Sequence, residues 1–346
     1  MIRYSYLIGT SGRLRPLIPE GLIIPYDGVS APAGWSLYSN ADGKFLLGAG
    51  STYAVDDNSI GTVVLSGDIP AVGDHNGTLF DTRQGNTGGS GGVTDNFDAG
   101  GHDHTYQFSG YKPNYQQLKM IKALFNLMSL PVGGVALSVA DFTSKGLSVA
   151  YDVQKYFQAG SAVTSGGIIG PFSANISAAG THFHNAGTLG GFGGPTLPES
   201  ISEGAHDHIV SIAVAESVKR ISLVAWQKAS DVIPVYSNLI GMWEQATPPP
   251  GWVLCDGANG SPDLRDRFVM LDELVSAGNT SGDNTVSLTG VVPVGGSHNH
   301  VGGSVSADWT FDEGMHSDNV THDHVDINDI KSYLPPYWAL TFIMKK

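Results

Sequence analysis

Five His-x-His pairs punctuate this chain: His102/His104, His182/His184, His206/His208, His298/His300 and His322/His324. Twelve histidines scattered at random over 346 residues would give about 0.4 such pairs. Residues i and i+2 of a β-strand project from one face, so the two imidazoles of each pair can reach a common point if the pair lies on a strand. Imidazole suits zinc, copper, iron and nickel. Two nitrogens hold a metal weakly, and each pair therefore asks for further ligands from elsewhere in the fold. Three pairs meeting on one line would supply an octahedral shell of six. A shell with no open position binds no substrate and activates no water, so the expected role is a structural rivet. Six imidazoles favour iron(II), with zinc the alternative. A single pair on its own would read as two solvated side chains on a surface strand.

The pairs keep a repeating order. His182 leads to His206 and His298 to His322, each 24 residues on, with a Gly-rich stretch between. In the first third His102 is preceded by His75, and Asp74-His75-Asn76-Gly77 reads like Ser297-His298-Asn299-His300 with the second histidine lost. Upstream of the pairs stand Gly34-Trp35, Gly146-Leu147 and Gly251-Trp252, followed by Lys44-Phe45-Leu46-Leu47, Lys155-Tyr156-Phe157-Gln158 and Arg267-Phe268-Val269-Met270. Downstream come apolar segments around Leu118 to Leu127, Val218 to Trp226 and Tyr337 to Met344. A repeat of about 104 to 116 residues implies one structural unit used three times. The boundaries fall near residues 130 and 235, giving 21–130, a degenerate 131–234 and 235–346 after an N-terminal arm, 1–20, that carries Arg3, Arg13 and Arg15.

Only 14% of residues are charged while glycine reaches 46, a balance that favours a mainly β fold rich in turns over a helical enzyme. Pro335-Pro336 would stop a helix before Trp338 to Met344, which is rich in strand formers. Tyr115 to Met128 has the pattern of an amphipathic helix, but its place in the repeat assigns it to a strand. A net charge of −14 without any Lys/Arg-rich run repels nucleic acid. Cys255 stands alone, so no intrachain disulfide is available. Neither a signal-peptide pattern nor an apolar run long enough for a membrane span is expected.

Metal-assisted hydrolysis is the enzymatic alternative. His322-Asp323-His324-Val325-Asp326 matches the start of a His-x-His-x-Asp-His signature, yet Ile327 stands where the next ligand is needed. The corresponding places in the other units hold Gln107 and Ser211, so the motif is complete nowhere, and no catalytic residue is assigned. Asp103, Asp207 and Asp323, between paired histidines, fall on the opposite strand face, and His316 is unpaired.

Residues 240–346 resemble the phage tail collar family of short tail fibres and long-fibre tips. The resemblance is carried by Ile240-Gly241-Met242, Pro248-Pro249-Pro250-Gly251-Trp252-Val253-Leu254-Cys255-Asp256-Gly257, Pro262-Asp263-Leu264-Arg265-Asp266-Arg267-Phe268, both His-x-His pairs and Leu334-Pro335-Pro336-Tyr337-Trp338. The first unit follows the opening through Leu22 to Gly28 and Ala31 to Leu37, but has Tyr38-Ser39 for Cys-Asp and lacks the Pro-Asp-Leu-Arg run. The middle unit keeps its histidines and little else. The resemblance implies a β-rich collar, a thin needle with iron or zinc held on its axis by trimeric His-x-His pairs, host-surface recognition at the distal tip, and no catalysis.

Family members carry one collar per chain and form homotrimers, whereas this chain repeats the unit three times. The expected fold is therefore three tandem collar-like units around a three-fold or pseudo-three-fold axis with a metal-stapled needle. A needle returns to its collar and cannot be followed by another along the same axis, so a single-chain pseudo-trimer is favoured over a homotrimer. One metal site would draw His102/His104, His206/His208 and His322/His324. Its partner would draw His75, His182/His184 and His298/His300. The Gly-rich segments 78–101, 185–205 and 301–321 should form the tip, with Phe80, Phe97, Phe192, Trp309 and Phe311 as receptor contacts or as tip packing. The implied function is a virion tail-tip protein, made in the host cytoplasm, whose partners are other tail or baseplate proteins and a host receptor. A baseplate or neck component that never meets the host is the structural alternative.

Overall fold

A computed structural model describes residues 17–62, 64–69, 75–81, 93–99, 104–151, 154–168, 170–176, 183–184, 201–202, 208–228, 231–292 and 326–346. The protein is mainly β and contains a closed eight-stranded barrel. Among the described residues there is no α-helix, and none long and apolar enough to cross a membrane.

Two kinds of strand can be read from side-chain burial. Arg220–Gln227 and Tyr337–Lys345 are buried along nearly their whole length, as strands covered on both faces must be. His104–Ser109 alternates buried and exposed residue by residue, the signature of a wall with one wet face. Lys112–Ala123, ambiguous by pattern, is a strand.

In chain order the first stretch carries β1 (Ile23–Tyr26), β2 (Trp35–Leu37), β3 (Phe45–Gly48), β4 (Asn58–Ser59), β5 (Val64–Ile69), β6 (His75–Asp81), β7 (Val93–Ala99), β8 (His104–Ser109) and β9 (Lys112–Ala123). After β10 (Ser129–Leu130), the second carries β11 (Ala136–Ser138), β12 (Ser148–Tyr151), β13 (Lys155–Ala159), β14 (Thr164–Ile168), β15 (Phe172–Ile176), β16 (Phe183–His184), β17 (Ile201–Ser202), β18 (His208–Ser217) and β19 (Arg220–Gln227). After β20 (Ile233–Pro234), the third carries β21 (Ile240–Trp243), β22 (Trp252–Leu254), β23 (Phe268–Leu271), β24 (Thr280–Ser281), β25 (Thr285–Gly290), β26 (Ile327–Ser332) and β27 (Tyr337–Lys345).

One pairing pattern recurs three times. The opening strand lies antiparallel to its own stretch's long last strand: β1 on β9, β11 on β19, β21 on β27. The next strand does the same: β2 on β9, β12 on β19, β22 on β27. The third leaves its own stretch and runs parallel to another's long strand: β13 on β9, β23 on β19, β3 on β27. Its follower joins it there: β14 on β9, β24 on β19, β4 on β27. The register is shared too, because Tyr156 opposite Tyr115, Phe268 opposite Arg220 and Phe45 opposite Tyr337 each open the parallel pairing. No stretch completes its sheet alone; each long strand is covered by a neighbour's third strand.

Phe45, Tyr156 and Phe268, which hold the same place in that register, are wholly buried in one apolar cluster. Phe45 meets Tyr156 edge-on at 6.2 Å between centroids, and an Arg220 guanidinium nitrogen donates to the Tyr156 hydroxyl at 3.2 Å. A repeated turn sets up each unit. Gly34, Gly146 and Gly251 all have φ near +80° (86°, 75° and 84°), a conformation that costs a side-chain-bearing residue dearly, and so the Gly-Trp and Gly-Leu steps recur. Asp266 staples the third stretch to the first: Oδ1 accepts from the Thr52 and Tyr53 amides at 3.1 and 3.2 Å.

The chain is fixed in place before residue 20. Ile18 is fully buried and bridges Leu127, so the last residues of the expected arm belong to the packed body.

Candidate functional site

Each stretch sends out one antiparallel hairpin between its third strand and its long strand: β5–β8, β15–β18 and β25–β26. The hairpins stand side by side in the order β26-β25-β18-β15-β8-β5. The outer strands β26 and β5 lie against each other, and Tyr106 on β8, beside β5, donates its hydroxyl to Asp329 on β26 at 2.7 Å. The six staves enclose Leu65, Tyr106, Ile176, Ile212, Leu288 and Ile327, among other apolar side chains. Ile69 faces His104, Ile176 faces His208 and Gly290 faces Ile327 at the hairpins' far ends. Strand directions alternate, so the chain leaves and re-enters this small barrel three times at one end. Segments 70–103, 177–207 and 291–326 contain every paired histidine except His104 and His208, which stand at the root.

His104 shares its strand face with Tyr106 and Phe108; all three are buried while Thr105, Gln107 and Ser109 are exposed. At 1% exposure its imidazole belongs to the barrel's inward face. His208 opens β18 two residues before buried Val210. His75 and His184 are placed as backbone positions: both pair with Ala99, one across each edge of β7, and so occupy a single row of the sheet β17-β16-β7-β6. Phe80 and Phe97 lie in the β6–β7 hairpin, opposite Thr94 and Gly77. His102, His182, His206, His298, His300, His322 and His324 lie outside the described residues, as do Phe192, Trp309 and Phe311. Among the described residues no three His, Cys, Asp or Glu side chains converge on one point.

A polar cluster that no sequence motif announces lies deeper in the barrel. Tyr111, Glu216 and Tyr333 each precede the parallel pairing by four residues (Tyr115, Arg220, Tyr337). The Tyr111 hydroxyl donates to Glu216 Oε2 at 2.8 Å, and the Tyr111 and Tyr333 rings meet with centroids 4.8 Å apart. Burial raises the Glu216 carboxyl above its ordinary value, opposed by the Tyr111 hydrogen bond and the Arg220 charge. Burial also raises the phenols of Tyr111 and Tyr333, and pushes Tyr156 up to about 12.

A raised folded-state value has a definite sign in the stability profile. The contribution of Glu216 is fully present below its unfolded value, about 4.3, and is lost as pH rises through the raised folded value. Glu216→Gln carries no such titration. The stability of the native protein relative to that variant should therefore fall as pH rises from about 4 towards neutrality. Urea midpoints of both proteins across that interval measure it, and a flat difference contradicts it.

Other reactive-looking groups have structural explanations. Cys255 is buried, and desolvation raises its thiol, which leaves it mostly protonated and poorly reactive. A surface cleft of about 520 Å³ holds Glu20, Ser36, Lys122 and Glu244, but Lys122 and Glu244 are committed to each other as an ion pair. Arg265 of the collar-like run grips Asp263 through Nε and a terminal nitrogen at 2.9 and 3.0 Å, bracing a turn. No protein-family model, curated protein or solved structure matches this chain.

Proposed function

We propose that this protein is a bacteriophage tail-fibre or tail-tip component of the virion, a single-chain pseudo-trimer whose tip meets a host receptor. Histidines along its axis hold structural iron(II), or zinc, and no reaction is catalysed. The observation that carries the reading is the pairing pattern. Three sequence stretches exchange equivalent strands in the order first to third, second to first, third to second, the closure expected of a trimer linked into one chain. Three hairpins then leave one end of the barrel together, each opening into a histidine-bearing segment.

The histidine positions support the metal part. His104 faces the barrel interior, as a ligand on the axis must. His75 and His184, which the sequence assigns to one site, share a row through Ala99. Bound there, the metal would supply a crosslink between segments that are far apart in sequence. The apolar side chains that line the barrel with Tyr106, from Ile69 to Ile327, would keep water from competing at the His104 end.

Native mass spectrometry and labelling of assembled virions test the reading together. The expected particle weighs about as much as one chain, 36.3 kDa, and antibodies against segment 185–205 should decorate the distal tail and block adsorption. A particle of three chains overturns the pseudo-trimer. Label confined to the neck or baseplate, without loss of adsorption, overturns the receptor role.

A further inference from the structure

The three junctions between hairpins of different stretches are built unequally. β18 and β25 share five ladder positions, from Ala213 opposite Thr289 to Ser217 opposite Thr285. β8 and β15 share two, Asn175 opposite Gln107 and Ile176 opposite Tyr106. β5 and β26, the two ends of that order, lie in contact but share none among the described residues.

Side chains close that last seam. The Tyr106 hydroxyl reaches from β8, across β5, to Asp329 Oδ2 on β26 at 2.7 Å, and Lys331 Nζ approaches the same oxygen at 3.1 Å. The bridge passes over Gly67 of β5. A Cβ there would lie 2.5 Å from Asp329 Oδ2 and 2.6 Å from the Tyr106 hydroxyl oxygen, so the bare glycine is what lets the bridge form. The hydrogen bond from Tyr106 holds the Asp329 carboxyl below its usual range, consistent with an ionised acceptor. At the seam's inner end Thr62 N donates to the Leu334 carbonyl at 2.7 Å and Leu334 N to Thr62 Oγ1 at 3.0 Å. Along the outer face Val64 and Ile330 are exposed, 42% and 72%.

We propose that the β5–β26 seam is a lateral gate into the barrel, latched by the Tyr106–Asp329 bridge over Gly67. Parting a laddered junction breaks a row of backbone hydrogen bonds at once, whereas this junction, beyond its Thr62–Leu334 end, parts when one side-chain bridge lets go. The rest of the ring stays shut meanwhile. β3 and β4 remain paired with β27, and Asp266 still holds Thr52 and Tyr53, so the first and third stretches cannot separate. Opening lays bare the inward face of β8, where His104 lies two residues from the latch and is otherwise 1% exposed. The gate thus offers a side entrance to the barrel interior that avoids the histidine-bearing end. It stands whether or not the protein belongs to a phage tail.

Amide hydrogen exchange on the full chain reads the gate directly. The seam-facing amides of 64–69 and 327–332, those not bonded to β8 or β25, should exchange at least roughly tenfold faster than the laddered amides of 213–217 and 285–289, because parting of the seam exposes them without global unfolding. Tyr106→Phe removes only the latching hydroxyl, and Gly67→Ala blocks the bridge from the other side. Each should speed exchange at the seam a further tenfold or so, in line with the loss of one hydrogen bond to a charged acceptor, and leave 213–217 and 285–289 unchanged. Equal protection of all six strands in the native protein overturns the proposal, even if both variants fail to fold. Variants that accelerate every strand alike, or none, overturn it as well.

Discussion

Phe45→Ala should cost about 3–5 kcal/mol of stability, the toll of emptying a fully buried aromatic site, and the remaining structure should still unfold in one step. Phe45 is 0% exposed and is wedged against Tyr115 and Tyr156, which belong to two different stretches. Its strand bonds β27 of a third, with Phe45 opposite Tyr337. The cavity would therefore open where all three stretches meet, beyond the reach of any one stretch to collapse around it. Since each long strand is covered by a neighbour's third strand, the loss is shared by the whole molecule. Urea denaturation followed by near- and far-ultraviolet circular dichroism measures it. Coincident curves shifted to lower urea are expected. A loss below about 1 kcal/mol, or two separate transitions, would mean that the stretches fold as independent modules.

That mutual dependence could not be read from the residues. The runs around Phe45, Tyr156 and Phe268 announce buried strands, but a strand of this kind reads the same whether it pairs with its own stretch or with the next. Which long strand it joins is decided by packing across the molecule. The markers behind the repeat reading are chemically loud: paired histidines, Gly34, Gly146 and Gly251 at left-handed turns, and the apolar run after Pro335-Pro336 that becomes β27. Lys112–Ala123 was harder. Tyr115, Leu118, Ile121 and Phe125 fall at helical spacing while Leu118 and Met120 fall at strand spacing, and only the surrounding sheet settles the choice.

The inner polar cluster escaped for a different reason. Tyr111, Glu216 and Tyr333 are equivalent in register, yet they follow the second histidine of their pairs at changing intervals, 104 to 111, 208 to 216 and 324 to 333. One residue gained per unit, together with a switch from phenol to carboxylate, removes any periodic signal. The latch across the seam was equally silent, since Gly67, Tyr106 and Asp329 come from three strands and are joined only by barrel closure. Polar groups buried singly by the chain's long-range topology carry no local pattern, whereas metal ligands spaced at two residues do.

Metal analysis of unchelated protein should find two tightly held transition ions per chain. Replacing His102, His104, His206, His208, His322 and His324 by asparagine should remove one and leave the other. The six residues belong by sequence to one site, and His104 already presents its imidazole to the barrel interior. The retained ion would be the one assigned to His75, His182, His184, His298 and His300, of which His75 and His184 share the row through Ala99. A ligand bound only by the folded state stabilises it by mass action, about 4 kcal/mol when present at a thousand times its dissociation constant. Stripping with chelator should therefore lower the unfolding temperature of the native protein markedly and that of the six-fold variant by less. Imidazole binds metal only when deprotonated, so acid should release both ions. Native protein that holds no iron, zinc or other transition ion after purification without chelator, and whose unfolding temperature is indifferent to added metal, would strip the histidine pairs of the role on which the tail-tip reading rests.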